Sequence, residues 1–184
     1  EAQHTLRPDL RIMVMSATLD MPLLTKLLQA PVAQSMGRQY PVETFYTGDA
    51  DERMLPELTA KVVQQAAKEQ EGDILVFLPG EGDIRKLETI LRRQLRGFQI
   101  HPLFGMLPFG KQYAAIMPDR QGRRKVVLAT SIAETSLTIE GISVVVDTGF
   151  GKTSRFDAKS GLSRLETVRI SKDAADQRAG RAGR

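Results

Sequence analysis

The run Asp73-Ile-Leu-Val-Phe-Leu78 limits the architecture of this chain more than any other segment. Five consecutive apolar residues in an extended strand need cover on both faces, as in a parallel sheet. Pro79-Gly80 then turns the chain, and Ile84, Leu87, Ile90 and Leu91 repeat at helical spacing through a predicted helix, Asp83–Arg96. The alternation continues with a strand at Gln99–Phe104, a helix around Lys111–Met117, a strand at Lys125–Ala129, a short helix near Ala133–Thr138 and a strand at Ser143–Val146. Before it, a helix from about Asp51 to Glu71 carries Leu55, Leu58, Val62, Val63 and Ala66 on one face and closes at Gly72. Strands alternating with helices specify an α/β fold: a parallel sheet with helices on both faces.

Two regions depart from this rhythm. Thr153–Ile170 has no helical period and reads as an inserted β-hairpin, with strands Ser154–Phe156 and Leu162–Ile170 around Asp157–Gly161. Gly161 stands at the left-handed position of that turn. Ser171 is placed to cap a final helix, Asp173–Arg178. At the other end, Arg11–Met15 reads as a short strand, and Asp20 with Pro22 opens a helix at Leu23–Gln29 that Ala30-Pro31 ends.

Gly151-Lys152-Thr153 looks like the close of a phosphate-binding P-loop. That loop requires G-x-x-x-x-G-K-[S/T] at the start of a helix, so that backbone N–H groups wrap the phosphates. The position five residues before Gly151 is Val146, and a hairpin follows instead of a helix. Lys152 is therefore expected in solvent or on a nucleic-acid phosphate. The chain contains no other such motif and no D-E-x-[HD] metal-binding run.

Three other stretches have residue types suited to phosphate chemistry. Gln177-Arg-Ala-Gly-Arg-Ala-Gly-Arg184 repeats arginine every third position with small residues between. Guanidinium forks suit bidentate contacts to phosphate oxygens, although the octapeptide alone reads equally well as a flexible basic end. Thr130–Gly141 (TSIAETSLTIEG) follows a buried strand with five hydroxyl residues and two glutamates, at the carboxyl edge where doubly wound sheets bind ligands. Ser16-Ala-Thr18 sits after the first predicted strand. Either of these two could also be a plain capped helix start.

Composition narrows the class without deciding it. Hydrophobic residues make up 41%, and no run reaches the roughly 18 residues of a membrane span. No N-terminal leader pattern is seen, cysteine is absent and only two histidines occur, so a reducing, cytoplasmic location and no metal site are expected. A net charge of +4 permits a polyanionic partner.

In order and spacing, these segments resemble the motifs of superfamily 2 helicases of the DEAH/RHA group. Met15–Asp20 (MSATLD) is similar to motif III, Ile74–Ile84 (ILVFLPGEGDI) to motif IV, Val126–Ile142 (VVLATSIAETSLTIEGI) to motif V and Gln177–Arg184 to motif VI. Within the group, Phe77–Ile84 and Arg155–Ser171 (RFDAKSGLSRLETVRIS) look most like the bacterial HrpB-type ATP-dependent RNA helicases. The resemblance implies a RecA-like fold, with residues 1–36 as the end of a first lobe and 37–184 as most of a second. The P-loop and DEAH carboxylates would lie in a first lobe elsewhere in a longer protein, together with C-terminal domains. ATP and Mg²⁺ would be held mainly by that lobe, and these 184 residues alone would not hydrolyse ATP. Single-stranded RNA, with DNA as an alternative, would be the partner, and a non-hydrolysing nucleic-acid-binding module is the second reading.

The resemblance also implies residue roles. Arg181 and Arg184 would reach the γ-phosphate, with Arg184 the arginine finger, and Gln177 would position the phosphate or the attacking water. Ser136 would sense the nucleotide. Glu140, standing where many relatives have Asp, would approach the ribose, and Met117 would take the place of an aromatic on the base. Gly80, Gly105, Thr130 and Lys152 would hold nucleic-acid phosphates. Ser16 and Thr18 would couple hydrolysis to lobe movement, and the hairpin would act as a wedge where the duplex separates.

Overall fold

Strand β1 (Asp73–Phe77) is central in a four-stranded parallel sheet ordered β2-β3-β1-β4, with β2 at Gln99–Leu103, β3 at Lys125–Ala129 and β4 at Ile142–Asp147. The computed structural model describes residues 7, 9–11, 13–14, 25–26, 31–33, 40–48, 51–134, 137–158 and 161–183. Alternation along β1 explains its unbroken apolar character. Ile74, Val76 and Leu78 join one core with Val126 and Leu128 of β3, while Leu75 and Phe77 join a second core with Val127 and Ala129. Each face of the sheet therefore has its own apolar layer.

The first core is closed by α1 (Leu55–Glu69) and α2 (Glu81–Gln94). Pro56 sits in the first turn of α1, where its missing N–H costs nothing. The buried residues of α1 are Leu55, Pro56, Thr59, Ala60 and Val63, whereas Leu58 and Val62 are half-buried. This stripe is rotated relative to the expected one because Thr59 turns inward and returns its hydroxyl to the Leu55 carbonyl (2.6 Å). On α2, Ile84, Leu87 and Leu91 are fully buried, as their spacing requires. The helix begins at Glu81, directly after Gly80.

The second core lies under α3 (Phe109–Ile116), through Ala115, and under the connection from β3 to β4, through Ala133, Leu137 and Ile139. Among its described residues that connection does not show the helix expected near residues 133–138. It contains a single 3-10 turn, Ser131–Ala133, and residues 137–139 are irregular.

After β4, Thr148-Gly149 leads into an antiparallel hairpin, β5 (Phe150–Asp157) and β6 (Leu162–Arg169), longer than expected at its first strand. Gly151-Lys152-Thr153 is part of β5, so no helix follows the triplet. Gly161 closes the turn at φ +68°. The outer hairpin is exposed on both faces, including Phe156, Leu162 and Leu165. Helix α4 (Lys172–Ala179) follows, its first turn capped by the Ser171 hydroxyl on the Ala174 N–H (3.2 Å).

Residues Glu1–Gly37 form a separate unit from Arg38–Arg184. In the first unit, Arg11, Met13 and Val14 carry no strand, contrary to the apolar pattern. Thr25 and Lys26 are helical, and the rest of the predicted helix Leu23–Gln29 lies outside the described residues. Among the described residues, no helix is long and apolar enough to cross a membrane.

Lys125 ties the second core to the sheet. It is fully buried at the start of β3, and its ammonium donates to the carbonyls of Ala115 (3.1 Å), Ile116 (3.1 Å) and Met117 (2.9 Å) at the end of α3. These are carbonyls a helix terminus leaves without partners, and a cation there also suits the helix dipole. Burial pushes the ammonium below its ordinary range, against the opposing effect of Asp73, Glu140 and Asp119. Lys125→Met keeps the length and removes the donors. It is expected to lower stability by about 2 kcal/mol, seen as a lower urea midpoint by circular dichroism. An unchanged midpoint would refute the capping role.

Candidate functional site

Because the four strands run in parallel, four connections leave from one edge of the sheet. They are Leu78-Pro79-Gly80 after β1, Phe104-Gly105 after β2, Thr130 after β3 and Thr148-Gly149 after β4. Backbone bonds stitch them together just beyond the ladder. Leu78 donates to Ala129 O (2.9 Å) and Thr130 to Leu103 O (3.3 Å), and Thr148 donates both its N–H (3.3 Å) and hydroxyl (2.9 Å) to Phe77 O. Topology thus puts Gly80, Gly105 and Thr130 on this edge. Lys152 joins them by contact: its side chain passes so closely over Gly80 that a Cβ there would lie 2.9 Å from both Cε and Nζ. Glycine at position 80 is what lets the lysine lie down at the start of α2.

Two of the residues expected at the nucleotide, Glu140 and Met117, are not on this edge. Thr130–Gly141 starts at the carboxyl edge but ends at the opposite one, where the Gly141 carbonyl accepts the Asp73 N–H (2.9 Å). Exposed Glu140 and Thr130 are thus separated by at least the length of β3, four residue steps at about 3.3 Å each, or about 13 Å. Met117, 40% exposed, closes α3 near that same amino edge, and its carbonyl accepts from Lys125. Lys125 in turn gives its backbone N–H to Asp73 Oδ1 (2.8 Å). A chain of bonds therefore runs from Met117 through Lys125 and Asp73 to Gly141, next to Glu140. Thr130, directly after β3, is at the carboxyl edge as expected for a residue following a parallel strand, and the chain then returns across the sheet to Gly141.

The arginines of Gln177–Arg184 do not form one exposed row. Arg178 is 1% exposed, and its Nε donates to Glu134 Oε1 (2.6 Å), while Nη1 donates to Asp147 Oδ1 (2.9 Å) and the Phe150 carbonyl (3.2 Å). Its guanidinium also stacks over the Phe77 ring, 4.8 Å from the centroid. Arg181, 6% exposed, donates Nε to the Glu134 carbonyl (3.0 Å) and Nη1 to the Leu137 carbonyl (2.6 Å), and Nη2 also bonds Glu134 O. The sequence grouped Arg181 with Arg184 on a phosphate, yet here its guanidinium holds main chain between β3 and β4. Gln177 is half-buried on α4. Arg184, Ser136, Ser16 and Thr18 lie outside the described residues.

Sequence reasoning missed Glu134, Asp147 and the internal role of Arg178. A signal was available for one of them: Asp147 ends the apolar strand ISVVVD, where a carboxylate must find a cation or water. Nothing in the sequence pairs it with a helix 31 positions later. Two guanidinium groups and two carboxylates meet here, so the formal charges of the cluster cancel. Among the described residues, no group of three metal-ligating side chains suits a metal ion.

Residues 54–184 match the family described as the helicase conserved C-terminal domain. The chain is 44% identical over 186 aligned positions to the ATP-dependent RNA helicase HrpB of Escherichia coli strain K12, across all of this chain and 23% of that protein. It superposes on the crystal structure of the Escherichia coli DEAH/RHA helicase HrpB with a TM-score of 0.89 at 44% identity, covering 98% of this chain and 23% of that one. A second structure, of the E. coli DExH-box NTPase HrpB, gives 0.87 at 44%, covering 99% and 23%. The chain spans about a quarter of the length of these relatives.

Gly183 ends the arginine turn against the segment at Tyr40. The Tyr40 N–H donates to the Gly183 carbonyl (3.1 Å), and a Cβ at position 183 would lie 2.7 Å from the Tyr40 carbonyl oxygen and 3.0 Å from Val42 Cγ2. A backbone atom cannot swing aside as a side chain can. Gly183→Ala is expected to cost about 1–3 kcal/mol, measured by chemical denaturation of the chain. Wild-type stability would show that the Tyr40 segment yields.

Proposed function

This chain belongs to the helicase conserved C-terminal domain family and resembles its DEAH/RHA members, and from that membership we propose that residues 37–184 are the second motor lobe of an ATP-dependent RNA helicase. Residues 1–36 are the end of the first lobe. The observation that carries the reading is the apposition of Lys152 and Gly80 on the sheet edge that also bears Gly105 and Thr130. A cation, a glycine that lets it lie close to the backbone, and a hydroxyl along one edge suit a phosphodiester chain, and they read its shape instead of its bases. Single-stranded RNA is the partner, as the name of the E. coli relative suggests, and the lobe works in the cytoplasm.

The nucleotide meets the other side of the lobe. Glu140 and Met117 are joined through Lys125 and Asp73 and would face the ribose and base. Arg181 braces the turn that Arg184 ends, and Arg184 is the arginine finger, with Gln177 orienting the phosphate or water and Ser136 sensing the bound state. ATP with Mg²⁺, held by the P-loop of the first lobe, supplies the free energy of translocation. Ser16 and Thr18 link hydrolysis to lobe movement. Alone, the chain binds nucleic acid without turning over ATP, because it carries no phosphate cradle.

Arg184→Ala in the full-length parent is expected to remove RNA-stimulated ATP turnover, a loss of about 10³-fold for a missing finger. Turnover near wild type would exclude that role. Lys152→Ala separates the nucleic-acid reading from simple solvation. It should weaken single-stranded RNA binding and reduce the slope of log K against log salt by about 0.7, one phosphate's worth. An unchanged slope would put Lys152 in solvent.

A further inference from the structure

Arg178 is the largest fully buried side chain among the described residues, and none of the roles above uses it. Three separate parts of the carboxyl edge converge on it. Glu134 (2.6 Å) belongs to the connection that begins at Thr130. Asp147 (2.9 Å) and the Phe150 carbonyl (3.2 Å) flank the corner between β4 and β5. Phe77, under the guanidinium at 4.8 Å, is the last residue of β1 before Leu78-Pro79-Gly80. A Cβ on Gly151, beside Lys152, would come 3.5 Å from Nη2 of Arg178. Three positions after Arg178, Arg181 takes the main-chain carbonyl of the same Glu134 whose side chain Arg178 holds.

Resting on the reading of this chain as a helicase lobe, we infer that Arg178, Glu134 and Asp147 form a positioning cluster that couples nucleic-acid contact at the carboxyl edge to the arginine-bearing end of α4. The physical reason is the stiffness of a desolvated ion cluster. Pulling one loop away would leave a buried charge or a buried guanidinium N–H without a partner, which is far costlier than moving the partners together. The Thr130 connection, the Gly149–Lys152 corner and α4 therefore shift as one body. A phosphate drawn onto Thr130 or Lys152 displaces Glu134 and Asp147, and Arg178 passes that displacement to the turn that carries Arg181 and ends at Gly183. Linkage makes the effect reciprocal: nucleotide engaged by that turn changes RNA affinity by the same factor that RNA changes nucleotide affinity.

The test uses the full-length parent with Glu134→Gln and, separately, Asp147→Asn. Each keeps the shape and an acceptor oxygen and removes one charge. ATP turnover without RNA is expected to stay within about twofold of wild type, while turnover at saturating single-stranded RNA falls about tenfold or more. The change in RNA affinity between nucleotide-free and nucleotide-bound protein should flatten in parallel. A merely structural role would lower basal and stimulated turnover together, and that result, or full retention of stimulation, overturns the inference. If Glu134→Gln melts early, Asp147→Asn decides by the same readouts. A wild-type parent without any RNA stimulation would overturn the helicase reading and the inference with it. Stimulated variants beside a stimulated wild type overturn the inference alone.

Discussion

Parallel pairing of β1 with both β3 and β4 is the constraint from which the rest of this lobe follows. Parallel neighbours oblige every connection to return across the sheet, and that need for cover puts α1 and α2 on one face and α3 with the 131–139 segment on the other. It also collects all the strand exits on one edge. Gly80, Gly105, Thr130 and the corner before Lys152 are far apart in sequence but adjacent there for this reason alone. The same geometry sends Glu140 and Met117 to the opposite edge. The lobe thereby gains two chemically distinct rims separated by the height of a short strand.

Buried cations fix how these rims are held. Lys125 ends α3 by taking three carbonyls at once, and Arg178 and Arg181 take two carboxylates and several carbonyls between the β3–β4 connection, the hairpin corner and α4. Removing such groups from water is costly, so they persist only where every donor finds a partner of good geometry. Among the described residues that condition holds, since no buried side-chain nitrogen or oxygen is left without a hydrogen bond. Directional bonds of this kind specify position more sharply than apolar contact does. The arginine end of α4 is consequently held in register with the sheet edge, although the helix has little apolar surface of its own.

The hairpin shows the opposite economy. Its outer strands bury almost nothing, and Phe156, Leu162 and Leu165 are exposed at 65–69%. Its base, by contrast, is fastened by Thr148 on Phe77 and by Arg178 on the Phe150 carbonyl. It also places exposed Lys152, near the root, with the end of its side chain over Gly80.

Periodicity alone was enough to order the strands and helices of the second unit, because doubly buried strands and amphipathic helices leave unmistakable spacing in residues 73–129. The hairpin turn at Gly161 and the Ser171 cap were likewise legible, since both rest on local backbone chemistry. Motif spacing, through resemblance, gave the family. Sequence overreached where a local pattern was read without its surroundings: among the described residues, Arg11, Met13 and Val14 carry no strand, and residues 137–139 carry no helix. It also could not distinguish the arginines of QRAGRAGR, which are chemically identical in the sequence. Only the tertiary structure decides that Arg178 and Arg181 face inward, because their partners lie 31 to 47 positions away: the Glu134 and Asp147 carboxylates for Arg178, and the Glu134 and Leu137 carbonyls for Arg181; a buried cation is located by whichever acceptors the fold brings to it.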